Sequence, residues 1–344
     1  MEKAARIYIS GHTGLVGSAL VRAYTRQGYT NLILRTHAEL DLVEQADVDA
    51  FFAKVQPDYV IHAAGKVGGI HANNTYPAEF IYQNLACAIN VIHSAYRHNV
   101  KKLLFLGSSC VYPKLAPQPI KEEFLLTGLL EPTNEPYALA KIAGMKMAEY
   151  YNKEYGCEFI SAIPNNLYGI NDHFHPQNSH VLPALLRKMH LAKCLESGNR
   201  EALKRDLKRD HQFSSDREID AILSDFGISR EGGKVVLTLW GSGSPFREFM
   251  FADDLAEALL FLMVNYSSAQ AINIGTGHDI TIYDLAMLIQ KTVGFAGMIQ
   301  WDTDKPDGTP RKQLDITKLT ELGYKADTPL SEGLKATYDW YQTL

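Results

Sequence analysis

Residues 6–17 read R-I-Y-I-S-G-H-T-G-L-V-G, and this stretch decides the fold. Its first five residues form a short apolar run, the pattern of a buried strand. Three glycines, Gly11, Gly14 and Gly17, follow at once. Glycine permits a tight turn and close backbone approach, so the next helix can aim its N-terminal N–H groups at a pyrophosphate. A glycine-rich turn alone is weak evidence. Directly after the first strand of a βαβ series, it predicts dinucleotide binding.

The sequence supplies that series. Apolar runs at 32–35, 58–64, 102–109 and 159–164 alternate with helix-like stretches at 43–55, 79–96 and 136–155. This alternation predicts an α/β fold with a doubly wound parallel sheet of the Rossmann type. Beyond residue 170 the pattern loosens. Strand-like runs return at 235–241 and 271–277, with helices at 253–263 and 283–293 and an amphipathic helix at 329–341. We expect residues 1–170, with returning segments near 235–280, to form the cofactor-binding domain. Parts of 171–240 and 281–344 are expected to form a smaller substrate-binding lobe. Residues 193–234 form a charged insertion of nine basic and nine acidic residues. Within it, E-A-L-K-R-D-L-K-R-D (201–210) reads as a solvated helix, and the insertion as surface.

Composition narrows the function class. A chain of 344 residues, 46% hydrophobic, can bury a large core. Its net charge of -5 offers no footprint for nucleic acid or an anionic membrane, so any phosphate must be held locally. Four cysteines without metal-ligand spacing predict reduced thiols, with no disulfide framework and no metal. No apolar signal core opens the chain, and no stretch approaches the roughly 18 apolar residues of a span. A cytoplasmic location is expected.

The second strand is read as ending at Arg35, whose guanidinium suits a ribose 2′-phosphate and so predicts NADP(H). Asp41, followed by Leu42, either meets the adenine edge or caps the next helix. The run at 102–109 brings Leu106, Gly107, Ser108 and Ser109 to a strand end. N-E-P-Y-A-L-A-K sets Tyr137 and Lys141 on one helix face. A phenol with its ordinary pKa of about 10 is a poor acid–base catalyst at neutral pH, and a neighbouring ammonium, together with the positive charge of the oxidised nicotinamide ring, is predicted to lower it. Ser108 would then hydrogen-bond a substrate carbonyl while Tyr137 delivers the proton. Cys110 and His180, from the residues alone, are either structural or catalytic.

The glycine turn, strand-end serine and Y-A-L-A-K helix resemble the extended short-chain dehydrogenase/reductase superfamily. Longer strings resemble the GDP-L-fucose synthase family: K-V-G-G-I-H-A-N-N-T-Y-P-A-E-F-I-Y-Q-N, F-L-G-S-S-C-V-Y-P-K, F-H-P-Q-N-S-H-V-L-P-A-L-L-R-K and K-P-D-G-T-P-R-K. The likeness covers nearly the whole chain outside 193–234. It implies epimerisation of GDP-4-keto-6-deoxy-D-mannose at C3 and C5, then NADPH-dependent reduction of the C4 ketone. Cys110 matches the epimerisation base and His180 the acid on the opposite face, with Ser108, Tyr137 and Lys141 serving the ketone.

The resemblance also places Thr13, Leu15 and Val16 of the glycine turn on the cofactor. Pro164, Asn166 and Leu167 after the fifth strand, and His180, belong to the nicotinamide side. Lys188, Trp240, Arg247 and Asp307 match GDP-sugar contacts: cations for diphosphate, an aromatic for a nucleotide or sugar face, a carboxylate for hydroxyl or guanine donors. A homodimer is implied too. Thr13 and His37 stand where some relatives carry arginines, which leaves Arg35 as the 2′-phosphate partner. The alternative is a C4 reductase of a related GDP-4-keto-6-deoxy sugar or heptose without epimerase activity. Having both Cys110 and His180 favours the bifunctional reading. A cofactor-sensing protein would need no Ser–Tyr–Lys set.

Overall fold

The first apolar run forms strand β1 (Ile7–Ser10), buried along its whole length and hydrogen-bonded between β2 (Leu32–Ile33) and β3 (Tyr59–His62). A computed structural model describes the backbone of residues 1–344 and every side chain except those of residues 70 and 71. With β4 (Lys102–Leu106), β5 (Phe159–Pro164) and the strand Ile272–Ile274, these make a six-stranded parallel sheet. Its order is β2-β1-β3-β4-β5 and then 272–274. The order reverses between β1 and β3, and ligands of doubly wound sheets bind at that switch point. The glycine turn leaves β1 at this place.

Helices cover both faces, which is why the strands are apolar throughout. Successive strand residues point to opposite sides. Ile7 and Ile9 join a core with Leu20 of α1 (Leu15–Arg26) and Leu255 and Leu259 of the helix Ala252–Asn265. Tyr8 points the other way, into a core with Phe52 of α2 (Gln45–Val55) and Val91 of α4 (Pro77–Arg97). The short α3 (Ile70–Thr75) precedes α4, and Met145 of α5 (Glu135–Tyr155) joins the same core.

The chain divides into two compact units. The first holds Met1–Asp172, Glu248–His278 and Lys312–Leu330; the second holds His173–Arg247, Asp279–Arg311 and Ser331–Leu344. The chain therefore returns to the first unit at Glu248 rather than near 235, and again at Lys312. The strand Lys234–Trp240 stays with the second unit because its partners are there. It pairs parallel with Met298–Asp302 and antiparallel with Ile228–Glu231.

The charged insertion is not the solvated surface its composition suggests. It folds as helices Arg200–Leu207 and Asp216–Asp225 followed by the strand Ile228–Glu231. Leu203, Leu207, Ile219, Leu223 and Phe226 are buried. Asp206, read as a solvated helix residue, is buried against Arg187. The apolar residues spaced through the charged run supply the inward face. Among the described residues, no helix is long and apolar enough to cross a membrane.

Candidate active site

The glycine turn is shaped by contacts that a side chain would break. Gly11 has φ +73°, and a Cβ on Gly17 would sit 2.0 Å from the Gly11 carbonyl oxygen. Gly14 starts α1 without a side-chain cap, and it and Thr13 are exposed. The first N–H groups of α1 thus face an open turn, with Leu15 and Val16 half-buried behind them. Beneath the turn, Ser10 Oγ and His62 Nδ1 are 2.8 Å apart, and Ser10 Oγ accepts from Ala64 N at 3.2 Å. Burial pulls His62 down to about 3, so it is neutral. An uncapped helix N-terminus above closely packed glycines fits a dinucleotide pyrophosphate.

β2 ends at Ile33, two residues short of the expected Arg35, which is exposed and donates to the Leu34 carbonyl at 2.7 Å. Asp41 accepts from Val43 N at 3.0 Å, while Glu44 takes the N-cap position of α2. Asp41 therefore does not cap that helix. Leu42 is buried, and its carbonyl accepts from Asn90 at 3.0 Å.

The strand-end serine lies just past the end of its strand. β4 stops at Leu106, and Ser108 instead caps a short 3₁₀ turn, Ser109–Val111, accepting from Cys110 N at 3.3 Å. Gly107 N donates to Ala162 O at 2.8 Å and keeps this exit against β5. Tyr137 and Lys141 share a face of α5, as their spacing predicts. Lys141, 5% exposed, donates to the Leu106 carbonyl at 2.8 Å, with Nζ 5.8 Å from the Tyr137 ring centroid. Burial pulls Lys141 down to about 8.

The Lys141 ammonium does not by itself lower Tyr137. Burial, and then the charge of Cys110, push the phenol well above its ordinary range, while a hydrogen bond with Ser108 pulls it back in part. The ammonium is engaged by the Leu106 carbonyl and does not offset burial. Tyr137 is thus a protonated donor, the state needed to protonate a ketone oxygen. Pro164 ends β5, Leu167 is half-buried, and Asn166 Nδ2 donates to Glu248 O at 2.9 Å.

Cys110 has a partner that local sequence reading missed. Its Sγ lies 3.6 Å from Lys312 Nζ. Burial works against the thiolate, but the Lys312 charge and hydrogen bonds with Ser108, Asn134 and Lys312 outweigh it and hold the thiol below its ordinary value. Lys312 closes the string K-P-D-G-T-P-R-K but is 202 positions from Cys110, so no local spacing reveals the pair.

The second unit carries the remaining residues that the sequence singled out. His180 is exposed at the N-cap position of the helix Val181–Glu196, and Lys188 is half-buried further along it, its ammonium pulled down by burial. Trp240 ends its strand 69% exposed, so it is no core residue, and Lys305 Nζ lies 5.7 Å from its ring centroid. Asp307 accepts from Ser242 N at 2.9 Å and Ser242 Oγ at 2.6 Å. Those bonds hold its carboxyl low, with Arg247 adding to them. Arg247 donates to the Thr309 carbonyl at 2.6 Å. Gly241, at φ +82°, admits Asp307, whose Oδ1 would lie 2.4 Å from a Cβ there. An exposed indole, a guanidinium and a carboxylate are thereby gathered around one glycine turn.

The NAD dependent epimerase/dehydratase family matches residues 7–216 and 209–275. A putative GDP-L-fucose synthase 2 from Arabidopsis thaliana is 54% identical over 99% of this chain and 93% of its own length. The chain belongs to the GDP-L-fucose synthase family. A further member, from Escherichia coli K12, is 46% identical over 98% of this chain and 96% of its own. Among solved structures, a GDP-D-glycero-L-gluco-heptose synthase from Campylobacter jejuni, in the presence of NADPH, is 41% identical with a TM-score of 0.92 and 99% of each chain covered. As a GDP-L-fucose synthase family member, the chain is an epimerising oxidoreductase that works with a nicotinamide cofactor.

Proposed function

We propose that this enzyme converts GDP-4-keto-6-deoxy-D-mannose to GDP-L-fucose by epimerisation at C3 and C5 and reduction at C4. The observation that carries this reading is a thiol 3.6 Å from the Lys312 ammonium, beside Ser108 and the Tyr137 phenol. A plain ketone reductase needs the serine and tyrosine but has no use for a base. Hydrogens at C3 and C5 are acidic because their removal puts charge on the C4 oxygen, which Ser108 and Tyr137 stabilise. Cys110 removes them, and His180 returns a proton to the opposite face. Tyr137 then protonates the C4 oxygen, with the Lys141 ammonium 5.8 Å from its ring centroid. NADPH, when bound, supplies the hydride for C4.

The glycine turn with Thr13, Leu15 and Val16 holds the pyrophosphate, Arg35 meets the 2′-phosphate, and Asp41 and Leu42 flank the adenine. Leu106 and Gly107, with Pro164, Asn166, Leu167 and His180, flank the nicotinamide. Lys188, Trp240, Arg247 and Asp307 bind the GDP-sugar. The unit containing 248–278 and 312–330 with 1–172 serves the cofactor, and the other serves the substrate. Two copies pair through α4 and α5, whose Tyr82, Ile89, Leu139 and Tyr150 leave apolar surface exposed. Four free thiols suit a reducing cytoplasm.

The likeness to the heptose synthase structure favours a second reading, reduction of a GDP-linked keto-heptose. Product analysis separates the two. GDP-4-keto-6-deoxy-D-mannose with NADPH should yield GDP-L-fucose, one NADPH oxidised per product, and a higher kcat/KM than with NADH. A C4-reduced sugar of unchanged C3 and C5 configuration would refute the proposal.

A further inference from the structure

We infer that Lys312 is the residue that makes Cys110 a base, pairing its ammonium with the thiolate and so setting the strength of the epimerisation step. The inference rests on the proposed function only in calling Cys110 the base. The pairing itself stands on geometry: Sγ and Nζ are 3.6 Å apart in a half-buried setting. The groups facing the sulfur are Ser108, Asn134, Lys312 and the Tyr137 phenol. Of these Lys312 alone carries a positive charge, so it alone supplies charge compensation for an anion.

The segment after Lys312 is held from several sides. Leu314 N donates at 3.0 Å to the carboxylate of Glu248, which is fully buried and also accepts from Thr276 N at 2.6 Å and Gly277 N at 2.7 Å. Ile120 N donates to Gln313 O and Asp315 N to Ile120 O, each at 2.8 Å. Asn273 Nδ2 bridges the carbonyls of Ile120 at 2.9 Å and Asp315 at 3.1 Å. This lattice fixes the backbone from which Lys312 reaches the sulfur. An ammonium placed without such anchoring would lose much of its effect to side-chain freedom and solvent.

The step balances. The thiolate takes a proton from the carbon α to the ketone, the C–H electron pair becomes the enolate C=C bond, and the negative charge passes to the C4 oxygen. Cys110 is left as a neutral thiol beside Lys312, a second proton reaches the carbon on the opposite face from His180, and exchange with solvent removes the first from sulfur and restores the second to His180. Lys312 therefore favours the start of the step, when sulfur holds the charge, and lets the thiol release its proton before the next round.

The test needs neither substrate nor cofactor. Alkylation of Cys110 by iodoacetamide is followed against pH, with its peptide resolved from those of Cys87, Cys157 and Cys194 by mass spectrometry. An opposite charge within about 4–6 Å shifts a pKa by roughly 1–3 units, so Lys312→Met should move the midpoint up by at least about one unit. The rate on the acid side should fall about tenfold, and Lys312→Arg, which keeps the charge, should recover most of it. An unchanged midpoint in folded Lys312→Met overturns the inference. If Lys312→Met fails to fold, a raised midpoint in Lys312→Gln supports it and an unchanged one overturns it. Should the midpoint shift while wild-type enzyme takes up no solvent deuterium at C3 or C5, the pairing holds and the base assignment falls.

Discussion

Arg187 and Asp206 form an ion pair at 2.8 Å with both side chains only 3% exposed. Arg187 lies on the helix that carries His180 and Lys188, and Asp206 lies in the charged insertion. Arg187 also pairs with Asp210, and the Tyr341 hydroxyl donates to Asp206. Charges so far from water are tolerable only while paired. Asp206→Ala, which takes away the guanidinium's buried partner and the acceptor of the Tyr341 hydroxyl while leaving Asp210, should cost about 3 kcal/mol in denaturant unfolding. The double change Arg187→Met with Asp206→Leu should recover most of that. A loss below about 1 kcal/mol for the single variant would mean the pair is solvated, as exposed pairs are.

Gly17→Ala should abolish dinucleotide binding. The added carbon would meet the Gly11 carbonyl oxygen at 2.0 Å, a backbone atom that cannot rotate away. Titration of NADPH fluorescence reads the loss directly. Gly28→Ala is a weak control for space, since nothing lies within 4 Å there although φ is +79°. Binding retained by Gly17→Ala would mean that the turn does not hold the pyrophosphate.

Lys141 gives a pH prediction. Its ammonium is pulled down to about 8, so it is charged below that pH and neutral above. Turnover should fall as pH rises through about 8, and Lys141→Arg should shift that limb upward if the variant turns over. The stability consequence has the opposite sign. From about 8 to the ordinary lysine value of about 10.4, the unfolded chain binds more protons, so this group's contribution to stability grows with pH. A pH–rate profile flat from neutrality to pH about 10 would show that the charge of Lys141 does not matter to turnover.

Much of this could be read before the fold was known, for reasons that differ by residue. The glycine turn and the Tyr137–Lys141 pair are local patterns, and local geometry alone sets their spacing along a turn or helix. The Rossmann sheet is legible because both faces are covered, so its strands are continuously apolar. Lys312 was invisible because its partner is brought to it only by the folded chain. The insertion misled because charge composition says nothing about which charged side chain turns inward. Asp206 is buried by Arg187, on a different helix. The direction of the Tyr137 shift also depended on tertiary detail, since burial and the charge of Cys110, beyond the end of β4, set it.

The most direct test of the central claim is the reaction run in deuterated water with GDP-4-keto-6-deoxy-D-mannose and NADPH, comparing wild type with Cys110→Ser. The account predicts GDP-L-fucose carrying deuterium at C3 and C5 from the wild type, with labelling and epimerised product both lost or strongly reduced in the variant. NADPH oxidation that yields an unlabelled, unepimerised product from wild type would contradict it, leaving a C4 reductase in which Cys110 has no part as a base.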